Sequence, residues 1–156
     1  MRWLIALSII VALLLSIISL PSNLQEWRPE FVALLVVYWA TYSPEYFGIL
    51  SAWLCGVLLD IVCLNPLGQS ALGLIIVAYI AHLSYQRIRS YALWPQSVWA
   101  LVFVGVYQLL SNWASGLMGK ETATMDFLGA TLLTALLWPL IVVFLQKIRI
   151  RFRLQQ

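Results

Sequence analysis

Charge is what this chain has least of. Only 10% of its 156 residues are Asp, Glu, Lys or Arg, and no extended polar stretch interrupts the sequence. A separate soluble domain for catalysis or nucleic-acid binding therefore has nowhere to sit. Histidine occurs once, at His82, and cysteine twice, at Cys55 and Cys63. No metal-ligand spacing can be built from so few side chains, and the two cysteines read as small packing residues. The G-x-S-x-G, H-E-x-x-H, P-loop and paired-carboxylate patterns are absent. The reading assigns no catalytic residue, no cofactor and no metal, and expects no enzyme.

What the chain has instead is apolar surface. It is 63% hydrophobic, carries eight Trp among 13% aromatic residues, and has a mean hydropathy of +0.92. That is the composition of membrane helices joined by short loops, with aromatic side chains to anchor them at the interfaces. Six apolar segments are expected as helices, at 3–20, 29–42, 46–64, 71–85, 94–118 and 127–145, followed by a basic tail at 146–156. The second is short against the roughly 20 residues a spanning helix needs.

Charge bias decides how to count it. With six spans and the N-terminus in the cytoplasm, Arg2, Arg87, Arg89, Lys147, Arg149, Arg151 and Arg153 all fall inside. Arg28 and Lys120 fall outside, with Glu26, Glu30, Glu121 and Asp126. This is a positive-inside pattern, and a re-entrant second segment would export the basic tail. Both termini are thus expected in the cytoplasm, with external loops at about 21–28, 65–70 and 119–126. The first segment is longer than the roughly 7–15-residue core of a signal peptide and lacks an A-x-A-like site, so it reads as a retained helix. The basic tail reads as a topology determinant touching anionic membrane lipid, with no nucleic-acid partner.

Asp60, inside the third segment, is the most informative residue. A carboxylate in a membrane helix costs roughly 2.5–3.5 kcal/mol on insertion scales, so it faces protein or water and has a partner. Arg28 is the expected partner. Both residues lie sixteen positions from Pro44, which puts each roughly 24 Å from the turn of a helical hairpin. The competing arrangement has Arg28 reaching headgroups and Asp60 bonding a hydroxyl or amide of the fourth or fifth helix. Gly48, Ala52 and Gly56 precede the acid at helical spacing and form a ridge of small residues. Such a ridge admits a close helix, either a neighbour in the bundle or a partner. His82, with Tyr79 and Gln86 nearby, and the run Gln108, Asn112, Gly116 suggest polar seams, with Ser8, Ala12 and Ser16 in the first helix. These read as interhelical hydrogen bonding, or as a polar cavity around His82, Gln108 and Asn112 holding a small ligand.

Ordered short motifs carry the reading further. They are Arg28-Pro29-Glu30-x-x-x-Leu34 with Tyr38-Trp39, Gly56-x-x-x-Asp60, and Leu67-Gly68-Gln69-x-Ala71-Leu72. Ala78-Tyr79, Gln86-Arg87-x-Arg89, Leu93-Trp94-x-Gln96 and Trp138-Pro139 follow. In this order they resemble the MreD family of rod-shape-determining proteins of proteobacteria, from about Pro21 to Arg153. The resemblance implies a non-enzymatic subunit of the machinery that elongates the lateral cell wall in the bacterial inner membrane. The bitopic protein MreC would be its direct partner, with MreB, RodA and the transpeptidase partner of RodA in the wider complex. It also implies an all-α bundle of six transmembrane helices similar to the substrate-binding component of energy-coupling-factor transporters. That likeness leaves a second function open, a small-molecule-binding membrane subunit. A binding component encloses a pocket; a scaffold keeps an apolar seam for a partner helix.

Overall fold

A computed structural model describes residues 2–18, 29–119 and 127–153. The described residues form six helices, α1 (Arg2–Ile17), α2 (Phe31–Tyr42), α3 (Ile49–Val62), α4 (Gln69–Ser90), α5 (Leu93–Leu117) and α6 (Phe127–Arg153), and contain no strand. The protein is all-α, and α4, α5 and residues 128–151 of α6 are long and apolar enough to cross a membrane. The other three helices, of 16, 12 and 14 residues, are shorter than that.

α2 explains how a short apolar helix fits. Every residue from Val32 to Tyr42 is buried, because α1, α3, α4, α5 and α6 all contact it. At about 1.5 Å rise per residue its 12 residues extend roughly 18 Å, and it forms the centre of the bundle. Tyr38 stacks on Tyr42 with ring centroids 4.8 Å apart and meets Trp39 edge-on at 5.2 Å. These large rings fill the middle, while Leu7, Leu50, Leu83, Leu109 and Leu136 point out of the bundle. Outward leucine is the expected arrangement when the surrounding solvent is lipid.

Two helix ends lie beyond the positions expected from hydropathy. α4 continues through Gln86 to Ser90, since Ile88 is buried there while Arg87 and Arg89 stay exposed. α6 continues through the basic stretch to Arg153. Charge ends an apolar run, but it does not end a helix: cations in the last turns favour the negative end of the helix dipole. α3 starts later than expected, at Ile49. The Ser43 carbonyl accepts the N–H groups of Tyr46 and Phe47 at 3.1 and 3.0 Å and holds these residues in a turn.

The helices alternate in direction, so the bundle has two distinct ends. The start of α1 lies beside the end of α6, with Leu4, Ile148 and Arg149 lining one groove. The ends of α2, α4 and α6 meet at Tyr42, Arg89 and Arg149. This is the basic end. At the opposite end, α3 passes into α4 at Asp60 and Gly68.

Candidate functional site

Asp60 is fully buried, and its partners among the described residues are backbone groups. Oδ2 accepts the Gly68 N–H at 2.9 Å, and the Ser70 N–H lies 3.0 Å from Oδ1 and 3.2 Å from Oδ2. Its own carbonyl accepts the Asn65 N–H at 2.9 Å. The first N–H groups of a helix have no partner within the helix and carry the positive end of its dipole, which suits a carboxylate. Gly68 sits at φ 98°, a conformation open to glycine that turns its N–H toward the acid.

This contact needs α3 and α4 very close together, and Gly56 provides that. A Cβ at Gly56 would fall 2.3 Å from Ala71 Cα and 2.7 Å from Ala71 N. Ala52, one turn earlier, is also fully buried, whereas Gly48 is exposed at the start of α3 with open space around it. Ala52 and Gly56 therefore lie inside the bundle, and the Gly56 face is occupied by α4. Arg28, the expected ion-pair partner, lies outside the described residues, as do the expected loops at 21–28 and, from 120 on, at 119–126.

Other polar groups continue the seam at this end. The Tyr107 ring lies against Gly73, where a Cβ would come within 2.9 Å of it. Gln69 Nε2 donates to Ser111 Oγ at 3.3 Å, Thr131 donates to Gln108 Oε1, and the Glu30 N–H donates to Thr134 Oγ1 at 3.1 Å. His82 does not join them. Counted from the turn between α4 and α5, His82 stands about 14 Å up and Gln108 about 24 Å. The cavity at the basic end that His82 lines includes neither Gln108 nor Asn112.

Sequence reasoning missed several structural residues. Gln96, 3% exposed, accepts from the Tyr42 hydroxyl at 2.8 Å and donates to the Ile88 and Tyr91 carbonyls at 3.2 and 3.0 Å. It ties α5 to α2 and satisfies the end of α4. Arg149 donates to the Tyr42 carbonyl at 3.0 Å. Trp39 Nε1 donates to Ser8 Oγ at 2.9 Å and fixes α1 on α2. A glutamine in the first turn of an apolar helix was the available signal for Gln96; the other two depend on pairs 107 and 31 residues apart.

The outer surface holds a long apolar groove. Among the described residues α1 contacts α2 and α3 but not α6, and the space between α1 and α6 is floored by Phe31, Leu35 and Trp39 at α2. Leu7, Val11 and Leu15 form one wall, Ile141 and Phe144 the other, around about 560 Å³. From Leu4 to Leu15 it follows α1 for roughly 16 Å, about three helical turns.

Against known proteins, the chain matches the family described as rod shape-determining protein MreD over residues 1–148. The chain belongs to the MreD family. It is similar to the rod shape-determining protein MreD of Haemophilus influenzae, with 26% identity over 155 residues, covering 99% of this chain and 96% of that one. No solved structure gives a significant match. Membership places the protein in rod-shape determination, in a family of shape-determining structural proteins, and its apolar helices make it a membrane protein.

Proposed function

We propose that this protein is a non-enzymatic scaffold of the lateral wall elongation machinery, and that it maintains rod shape by holding the transmembrane helix of MreC in the groove between α1 and α6. MreB, RodA and its transpeptidase partner belong to the wider complex. The carrying observation is the groove itself: an apolar trough about three turns long, with Ser8, its central polar residue, already bonded to Trp39. Lipid tails are as apolar as leucine, so a helix is retained there by shape and van der Waals contact. A trough with a rigid aromatic floor supplies both. The described cations Arg2, Arg87, Arg89, Lys147, Arg149 and Arg151 belong to helix ends at one side of the bundle. This supports a multi-pass inner-membrane protein with both termini cytoplasmic.

Disulfide crosslinking tests the reading. Cysteines placed at Val11 and Phe144 should trap cysteines in the MreC membrane helix, while one at Leu83, exposed on α4, should not. Co-purification with MreC but no crosslink from the groove would move the interface elsewhere. Loss of co-purification altogether would sink the scaffold reading and favour the small-molecule-binding alternative.

A further inference from the structure

A second cavity, of about 570 Å³, opens at the basic end, between the turn that follows α2, the last turns of α4 and the end of α6. That volume falls among small-molecule sites, about 300–1,000 Å³, and the walls are polar. Arg89, His82 and Tyr85 come from α4, Arg149 from α6, and Ser43 and Glu45 from the turn. Two guanidiniums face one exposed carboxylate, so the cavity is net positive whatever the charge on His82. Arg149 uses one N–H on the Tyr42 carbonyl, and a guanidinium has five donors in a planar fork. The bond to Tyr42 fixes the head group, leaving donors for a further acceptor. Ser43 supplies a second, independent sign. It is 3% exposed, yet its Oγ has no hydrogen-bond partner among the described residues. A buried hydroxyl is normally satisfied, and Ser43 is one of the residues that line this cavity.

We propose that this cavity binds a phosphate ester, with Arg89 and Arg149 on its non-ester oxygens and the Ser43 hydroxyl donating to the same group. Paired guanidiniums and a hydroxyl offer more donors than the two oxygens of a carboxylate can accept, and they match the several oxygens of a phosphate. The same chemistry reaches the cavity from two sources, a phospholipid headgroup or a soluble phosphate ester. Arg149 also lines the end of the apolar groove, which gives a lipid tail an adjacent path. The inference stands on charge and geometry at this end and does not depend on MreC.

The test uses the full chain in phosphatidylcholine nanodiscs, with glycerol 3-phosphate as the soluble probe by calorimetry and phosphatidylglycerol as the lipid probe by native mass spectrometry. Wild-type protein should bind at least one probe. Arg89→Gln and Ser43→Ala should weaken that binding about ten-fold, the worth of a charge-assisted or otherwise orphaned hydrogen bond. Arg151→Gln, exposed on α6 and outside the cavity, should leave it unchanged. Arg89 is exposed at the end of α4, so its variant should melt like wild type. Binding of glycerol 3-phosphate identifies a soluble ester as sufficient; binding of phosphatidylglycerol alone identifies the lipid. Failure of both probes to bind, or an equal loss in Arg151→Gln, overturns the proposal.

Discussion

Replacing Gly56 with alanine should force α3 away from α4 and strip Asp60 of its backbone partners. The added Cβ would meet Ala71 Cα at 2.3 Å and Ala71 N at 2.7 Å. These are backbone atoms, so no rotamer change relieves the clash; α3 and α4 must separate by about 1 Å to reach ordinary contact. A shift of that size takes the bonds from Gly68 and Ser70 to Asp60, now 2.9–3.2 Å, beyond useful hydrogen-bond distance. Overpacking alone costs about 1–3 kcal/mol, and each buried group left unsatisfied adds about 1–3 kcal/mol. Gly56→Ala should therefore cost about 3 kcal/mol or more, with membrane insertion retained because the change is apolar. The assay is melting of the detergent-solubilised protein, beside Gly48→Ala as control. Gly48 has nothing within 4 Å of an added Cβ, so its change should cost no more than about 1 kcal/mol, the worth of a helix cap. Adding Ala71→Gly should not rescue Gly56→Ala, since the closest atoms remain. Equal melting of the two single variants, or full rescue by Ala71→Gly, would refute the reasoning.

Asp60→Ala should destabilise the protein more than Asp60→Asn, which keeps one acceptor for the α4 N–H groups; the difference should reach about 1–3 kcal/mol in the same melting assay. Adding Arg28→Ala to Asp60→Ala should recover little, because the Gly68 and Ser70 N–H groups lose their acceptor either way; recovery of most of the loss would make the arginine the dominant partner. Gln96→Ala should cost about 1–3 kcal/mol by orphaning the Tyr42 hydroxyl and two carbonyls at the end of α4, visible as a lowered melting temperature. Trp39→Phe should cost only about 0.6 kcal/mol, the average membrane hydrogen bond, and should raise the accessibility of cysteines placed on α1. Reporter fusions should place the tail after Arg153 in the cytoplasm.

Composition and periodicity by themselves determined the class of this protein, its six helices and the residue around which one end is organised. Low charge and high hydropathy leave no other solvent than lipid, and an acid inside an apolar run needs a partner wherever the chain folds. The small residue one turn before Asp60 was also legible, since only close approach explains a glycine in a helix interior. Tertiary structure alone decided what meets these residues. Gly56 and Asp60 engage the start of α4 because backbone N–H groups exist at every helix start, and no side-chain pattern advertises which one turns toward the acid. Helix ends were misplaced at Ser90 and Arg153 because hydropathy registers where lipid ends, while backbone hydrogen bonding continues beyond it. Likewise, Ser43, Arg89 and Arg149 are ordinary loop and end residues in the sequence. They surround one cavity only because α2, α4 and α6 terminate on the same side of the bundle.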